Sequence, residues 1–337
     1  MTDQIRSLQG LFPTKRGQVL YCISQGKNLT KSDIKSFTEL SMSTVLSSVD
    51  KLCAEGLITC VEEKRKEGGK PRSVINVKED KYVFGVTYKS GVLTAVRVNL
   101  KGEIEEESEI RILENGSSPA RYVLSLLAEI GKKGSRPLAV GLSMNTADPA
   151  RFFAELEKEC KAPVYATSNA GAAVLVCVSQ CGEFPICAIG VGAKVKCAIL
   201  QDGLRVADVG RLHSPVLVGK SQEYEQVLSA PQVERRLSEK DFYDCFYFDG
   251  ARFREAEDLR SYSEVIQGAI TSLCDQVAAL TSPKRLYIFG DYITDSFFDR
   301  IKSHSAYSDK PQLFRADPRK LALGAAYYAL AEEVFSR

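Results

Sequence analysis

An α/β protein with an N-terminal winged helix-turn-helix is the fold that the sequence predicts. Two helical patterns separated by a polar break lie within residues 29–55, and two period-2 segments flank a basic Gly-Gly turn directly after them. Strand and helix patterns then alternate through most of the remaining chain. Short paired helices followed by a hairpin favour a winged helix, and alternating strands and helices favour a layered α/β body.

The helix-turn-helix is expected between Leu29 and Gly56. A Thr30 hydroxyl caps the first helix, a polar break follows, and apolar side chains then recur at helical spacing over residues 43–55. The side chains expected on the outward face of this second helix are short or basic, as close approach to a phosphate backbone and a major groove requires. They are Ser43, Thr44, Ser47, Ser48 and Lys51.

A two-stranded wing is expected next, with strands at residues 57–62 and 73–77. The turn between them carries basic side chains on a flexible apex, where they can reach phosphates or a minor groove. These are Lys64, Arg65, Lys66, Lys70 and Arg72. A hairpin tip that is merely solvated is the alternative, since Glu62, Glu63 and Glu67 dilute the charge.

The composition excludes a polycation and a membrane protein. The 337 residues contain 45 Lys and Arg against 43 Asp and Glu, a net charge of +2, and residues 1–80 contain 13 basic and 10 acidic side chains. Contact with nucleic acid must therefore come from local clusters. No apolar stretch approaches the ~20 residues of a membrane helix, and residues 1–12 have no signal-peptide core, so we expect a cytoplasmic protein without membrane contact.

Ten cysteines occur without any Cys-x-x-Cys pair. Most lie inside apolar runs, which favours buried, reduced thiols in a cytoplasmic chain. A metal or redox cluster built from Cys177, Cys181 and Cys187 is the alternative.

The body is expected to begin with an antiparallel meander and to continue with alternating helices and strands. The expected strands are residues 81–87, 92–100, 104–112, 138–142, 164–166, 186–189, 195–200 and 286–289. The expected helices are residues 119–132, 149–160, 170–179, 261–280 and 321–335.

Several short motifs, in order, resemble the winged-helix repressor branch of the ROK family (repressors, open reading frames and sugar kinases). They are Gly69-Lys70-Pro71, Phe84-Gly85-Val86, Leu100-Lys101-Gly102-Glu103, Thr167-Ser168-Asn169-Ala170-Gly171-Ala172-Ala173, Gln201-Asp202-Gly203 and Leu323-Gly324-Ala325-Ala326. The resemblance implies a two-lobed, actin-like (ribonuclease-H-like) body. It implies a head at residues 1–80, lobe 1 at 81–190 with 318–337 returning to it, and lobe 2 at 191–317.

The same resemblance shows departures from the family's kinases. Thr87-Tyr88-Lys89-Ser90 stands where they have an Asp-x-Gly-x-Thr turn for phosphate and metal, and Asn169 stands in place of the catalytic Asp. An amide cannot accept the proton that a general base must take. Lysines at 194 and 196 occupy the second phosphate loop, where glycines permit close backbone approach. We therefore expect no catalytic residues and no enzyme activity.

The family's structural zinc site and sugar pocket are also incomplete. His213 resembles its zinc-binding His, but residues 214–224 contain no cysteine, so we expect neither a metal nor another cofactor. His213 is therefore either an ordinary surface or interface histidine or a retained effector contact. The matching segments offer five polar side chains for an effector: Asn145, Ser168, Asn169, Arg211 and His213. Arg211 stands where a sugar-binding Glu is expected, which favours a phosphorylated or carboxylated ligand.

The combined expectation is a transcriptional regulator, a repressor of carbohydrate metabolism. Its partner is double-stranded operator DNA, its body is a homodimer or dimer of dimers, and its effector is a sugar or sugar derivative. Two heads on a palindrome would add affinity and fix the half-site spacing. Two alternatives remain: a degenerate ROK protein that acts through a protein partner, and a residual sugar kinase.

Overall fold

A computed structural model provides the structure of the chain. It describes residues 14–63, 72–89, 91–112, 119–144, 148–181, 184–201, 203–214, 222–232, 246–248, 253–255, 260–290, 292–293, 295–307, 309 and 311–337. The chain forms two compact units, Met1–Thr167 with Asp317–Arg337 and Ser168–Ala316. The predicted division into a head at residues 1–80 and lobes at residues 81–190 and 191–317 stays a prediction.

The N-terminal part of the first unit is a winged helix. Its elements are α1 (Lys15–Gln25), α2 (Lys31–Thr38), α3 (Met42–Ala54), β1 (Ile58–Glu63) and β2 (Arg72–Val77). The three helices pack against one another, and β1 pairs antiparallel with β2 from Ile58↔Val77 to Glu63↔Arg72. The predicted helix-turn-helix and wing are confirmed within one residue at most boundaries. Helix α1 has no counterpart in the prediction, because its apolar residues form one contiguous run at positions 19–23 and do not recur at helical spacing.

Residues close in sequence determine where the helices of the head begin and end. Thr30 and Asp33 form a reciprocal capping box, in which each side chain accepts from the other residue's backbone N–H. Such a cap is worth about 1 kcal/mol. The Gly56 backbone, at φ +68°, then turns the chain out of α3 in the left-handed region that glycine enters without strain.

The next part of the first unit, up to Ala166, contains a five-stranded sheet and the helices α4 and α5. Its elements are β3 (Tyr82–Lys89), β4 (Val92–Asn99), β5 (Ile104–Arg111), α4 (Pro119–Ile130), β6 (Val140–Ser143), α5 (Pro149–Cys160) and β7 (Val164–Ala166). The strand order is β5-β4-β3-β6-β7, antiparallel through the meander and parallel from β3 to β7. The apolar faces of α4 and α5 form a core with the sheet.

The second unit has a sheet of the same pattern. Its elements are α6 (Asn169–Cys181), β8 (Ile186–Val191), β9 (Val195–Leu200), β10 (Leu204–Ala207), β11 (His213–Ser214), β12 (Gln222–Glu223), α7 (Tyr224–Leu228), β13 (Phe246–Phe248), β14 (Phe253–Glu255), α8 (Arg260–Thr281), β15 (Arg285–Gly290), α9 (Asp295–His304) and β16 (Pro311–Leu313). The order β10-β9-β8-β15-β16 again joins an antiparallel meander to two parallel strands. Helices α7, α8 and α9 bury their apolar faces in its core.

The chain returns to the first unit with α10 (Pro318–Ala329), which continues as a π-helical segment, Leu330–Phe335. The sequence predicts one helix over 321–335. Helix α10 begins three residues earlier because the Asp317 side chain accepts from Lys320 N and Pro318 occupies the first turn.

Helix α10 lies on the first sheet through backbone contact. Gly85 and Gly141 are paired neighbours on β3 and β6. A Cβ at Gly85 would lie 2.0 Å from the Ala322 carbonyl oxygen, and one at Gly141 would lie 1.9 Å from that of Ala325. Only glycine at both positions allows the helix to approach so closely.

We expect Gly85→Ala to destabilise the protein by about 2–3 kcal/mol, because the added methyl must push α10 off the sheet. Urea unfolding followed by circular dichroism measures this change. Gly192→Ala is the matched control, because a Cβ there meets nothing within 4 Å. Equal stabilities of the two variants would contradict the backbone contact.

Candidate functional site

The outward face of α3 is a compact polar surface bounded by a buried apolar face. Ser41 caps the helix by accepting from Thr44 N at 3.2 Å. Val45, Val49 and Leu52 are at most 1% exposed and fix the helix orientation in the head. The exposed residues are Ser43, Leu46, Ser47, Asp50, Lys51 and Ala54. This exposed set, named here the reading face, can approach a groove because most of its side chains are short.

The structure corrects the predicted surface at Ser48. This residue is only 6% exposed, because it follows Val45 by three positions and so lies on the buried side of α3. Thr44 is half-buried. The prediction omitted Leu46, which is 38% exposed, and the exposed Asp50, because it selected short or basic side chains and not positions by helical angle.

The strands of the wing, β1 and β2, are described, but the turn that joins them is not. The predicted basic residues Lys64, Arg65, Lys66 and Lys70 lie outside the described residues. Arg72 opens β2, where its backbone pairs with Glu63. The basic tip therefore follows directly from a described strand end, while its contribution to binding stays a prediction.

The last residues of the chain hold α1 of the head. The Arg16 guanidinium donates to the Val334 carbonyl at 2.7 Å and also forms an ion pair with Glu55, the residue that ends α3. The Thr14 hydroxyl donates to the Phe335 carbonyl at 3.2 Å. A Cβ on Gly17 would lie 1.9 Å from that same oxygen. One arginine thus joins α1, the end of α3 and the C-terminal segment.

The C-terminal segment is tied in turn to β7. The Tyr165 hydroxyl donates to Glu333 at 2.7 Å, and Glu333 pairs with Arg337 at 2.7 Å. Burial, together with the Glu333 carboxylate, raises the pKa of Tyr165 to about 12. The phenol is therefore neutral at physiological pH and remains a hydrogen-bond donor.

Two of the predicted effector residues stand at the start of α6. The Ser168 hydroxyl accepts from Gly171 N at 3.1 Å, and Asn169 is the first helical residue. Helix α6 packs against β8, β9 and β10. Asn145 lies outside the described residues.

The other two follow β10. Arg211 has its side chain 81% exposed, with Nε 4.0 Å from Asp208, and His213 is described only through its backbone pairing with Glu223. Asp208 also accepts from Lys196 Nζ at 3.1 Å. Lys196 therefore points to a carboxylate of its own unit, which the sequence prediction missed because twelve residues separate the two.

Thr87 begins the segment that the family resemblance equates with the phosphate turn of the kinases, and here it has a structural role. The Thr87 hydroxyl is buried and donates to the Ser143 carbonyl at 2.8 Å, which links β3 to β6. Gly192 and Lys194 close the β8–β9 turn through a 3.2 Å backbone bond. Among the residues that the structure describes, no three His, Cys, Asp or Glu side chains gather in a possible metal site.

The structure also revises the expected burial of the cysteines. Cys22, Cys177, Cys187, Cys197 and Cys274 are buried, whereas Cys53 and Cys160 are half-buried and Cys60 is exposed. Cys181 has no described side chain. Buried thiols therefore account for five of the eight described cysteines, and Cys53, Cys60 and Cys160 are the exceptions.

Solved structures share the fold of all or most of this chain. A ROK family transcriptional regulator, a homologue of the E. coli MLC protein, superposes with a TM-score of 0.67 over 99% of this chain and 98% of its own, at 15% identity. The chain has the ROK fold. A ROK hexokinase from Thermus thermophilus covers 74% of this chain and 99% of its own, with a TM-score of 0.55 and 16% identity. A ROK family protein from Streptococcus pneumoniae, solved with sucrose, covers 75% and 99%, with a TM-score of 0.54 and 13% identity.

No family model matches the sequence, and no curated protein matches it. The ROK resemblance of the short motifs is confirmed at the level of the fold, including the winged helix ahead of the actin-like body. In the described part of the chain, no helix is both long enough and apolar enough to cross a membrane.

We expect Arg16→Ala to lower the free energy of unfolding by about 2 kcal/mol, because it removes a side chain only 13% exposed and takes a donor from both the Glu55 carboxylate and the Val334 carbonyl. Urea titration measures the loss. Arg319→Ala is the control: its side chain is 60% exposed and pairs with Glu107, so its removal should cost less than about 1 kcal/mol. An Arg16 variant as stable as this control would argue against the link between head and C-terminal segment.

Proposed function

We propose that this protein is a sequence-specific DNA-binding transcriptional regulator that acts as a repressor. The observation that carries the proposal is the reading face of α3, capped at Ser41 in a head that also contains the paired wing strands β1 and β2. The sequence that joins these two strands is basic. A recognition helix supplies specificity by reaching base edges, and the wing adds phosphate contacts. The comparisons support it, since the solved regulator covers 99% of the chain while the hexokinase covers 74%.

We also propose that the chain works as a cytoplasmic homodimer. One reading face offers a small contact area, so two heads on a palindromic site would raise affinity and set the half-site spacing. Arg16 would keep each head in place on the C-terminal segment of its own chain, because it bonds both Glu55 and the Val334 carbonyl. Sedimentation of the protein alone and with its DNA tests the dimer.

The body is proposed to be non-catalytic. The Thr87 hydroxyl is used in a bond to Ser143, and Asn169 offers an amide where the resemblance expects a carboxylate base. Loss of a general base alone commonly costs roughly 10²–10⁴-fold in rate. ATP turnover with a panel of sugars would support the residual-kinase alternative, and the proposal expects none.

The first experiment is selection of bound fragments from the source genome by the purified protein, followed by binding to the best fragment at several salt concentrations. A recovered palindrome with salt-dependent binding would support the regulator and name its targets. No enrichment over random DNA, together with capture of a protein by the folded chain, would favour the alternative that the body acts through a protein partner.

Replacing Ser47 with Glu should weaken binding to the selected fragment about tenfold or more, because the new carboxylate would face the phosphates. Fluorescence anisotropy with labelled DNA measures the affinity. Ser303→Glu is the matched control, since Ser303 is also exposed but lies on α9 in the second unit. Equal losses in both variants would point to a general charge effect and against the reading face.

The effector is proposed to be an anionic sugar derivative, because the Arg211 guanidinium is 81% exposed and suits a carboxylate or phosphate. Among sugars, sugar acids and sugar phosphates, we expect an anionic member to release the protein from its selected fragment, and Arg211→Ala to abolish that response. Arg205→Ala, at an exposed position on β10, should leave the response intact. Release by neutral sugars alone would contradict the assignment of Arg211.

A further inference from the structure

Two thiols of the head lie side by side. Cys53 is in the last turn of α3, Cys60 is in β1, and their Sγ atoms are 3.1 Å apart. Cys60 is exposed and Cys53 is half-buried. We propose that Cys53 and Cys60 are a modification site at which peroxide forms a reversible disulfide that fixes the recognition helix to the wing.

The turn between the two residues holds them in place. Gly56 N donates to the Cys53 carbonyl at 3.0 Å, and Leu57 N donates to the Leu52 carbonyl at 3.0 Å. These bonds reverse the chain, so that the first residues of β1 run back along the end of α3. A disulfide has an S–S bond of about 2.05 Å. The sulfur atoms therefore need to approach by only about 1 Å.

Exposure separates this pair from the other close pair of thiols. Cys187 and Cys197, on the paired strands β8 and β9, also interact through their side chains, but they are 0% and 1% exposed. An oxidant in water reaches the sulfur of Cys60 directly, whereas the core excludes it from Cys187 and Cys197. The buried pair is a control within the same molecule.

The chemistry is balanced with one molecule of hydrogen peroxide. The Cys60 thiolate attacks one oxygen, the O–O bond breaks, and the sulfur is oxidised to a sulfenic acid while hydroxide leaves and takes up the thiol proton as water. The Cys53 sulfur then attacks the sulfenic sulfur. The S–S bond forms, the S–O bond breaks, and a second water leaves with the Cys53 proton. A dithiol reductant reverses the modification by exchange.

The surroundings of Cys60 make its oxidation by peroxide slow at neutral pH and faster at higher pH. Burial, the Cys53 thiol and Asp50 raise the pKa of Cys60 to about 11, against the opposing effect of Lys31. Little thiolate is present at neutral pH, and its fraction rises about tenfold per pH unit below the pKa. Sustained exposure to oxidant is therefore needed to close the pair.

The functional consequence rests on the proposed DNA binding. Closing the bond draws β1 toward the end of α3, and helix and wing must contact one DNA duplex together. A recognition site tolerates displacements of only about 0.5 Å. We expect the oxidised protein to bind its selected fragment at least about fivefold more weakly, with recovery after reduction.

The test treats the folded full-length protein with hydrogen peroxide at pH 7, 8 and 9, then alkylates and digests it with trypsin. Residues 52–64 form one tryptic peptide that contains both cysteines. The expected result is a loss of two hydrogens from this peptide, faster at higher pH and reversed by dithiothreitol. The peptides that carry Cys187 and Cys197 should remain reduced.

Cys60→Ser should abolish the internal disulfide, and Cys160→Ser, which removes another half-buried thiol, should not. Absence of the oxidised 52–64 peptide in the folded protein at every pH would overturn the site. A disulfide that forms without changing DNA affinity would overturn the regulatory consequence alone. Failure of the reduced protein to bind any fragment would contradict the proposed function while leaving the mass measurement decisive for the site.

Discussion

The structure of the first unit depends on direct contact between the backbone of α10 and two glycines of the sheet. Gly85 and Gly141 face each other across β3 and β6, so together they make a flat patch without side chains. The carbonyl groups of Ala322 and Ala325 lie against this patch. Small residues on the helix complete the fit, because Ala322, Ala325 and Ala326 are fully buried. Close packing of this kind tolerates almost no added volume.

Close backbone packing also joins the C-terminal segment to the head. The π-helical segment after α10 brings the Phe335 carbonyl against Gly17 of α1. Arg16 then satisfies the Val334 carbonyl, which the end of a helix would otherwise leave without a partner. Backbone contacts and one half-buried arginine therefore help to set the orientation of the head.

Much of the fold could be predicted because its signals are local. The capping pair Thr30 and Asp33, the left-handed Gly56 and the alternating strands of the meander all act within a few residues. Helix α9 and the short strand β16 had no comparable signal. Strand β16 is three residues long and is defined by its parallel partner β15, far away in sequence. Their places depend on tertiary contacts, which override weak local preferences.

The candidate site was harder to predict for the same reason. Residue type alone assigned Ser48 to the DNA-facing surface, whereas the packing of Val45 and Val49 turns it inward. The Cys53 and Cys60 pair was invisible because the two residues belong to different elements and are seven positions apart. Arg16 gave no signal, since its carbonyl acceptor is 318 residues away. Local rules identify helices and turns, but contacts between distant residues decide which side chains meet.

The contacts of α1 with residues 334–337 also affect when the head gains its support during synthesis. Their partners are separated by 318 to 323 residues, so the head is synthesised long before the residues that hold it. At about 5–20 residues per second, the two ends of this contact leave the ribosome roughly 15 to 65 seconds apart. A nascent head therefore lacks its final support until translation has passed through the whole body. Only a chain whose synthesis has reached residues 334–337 can hold its head in the final orientation.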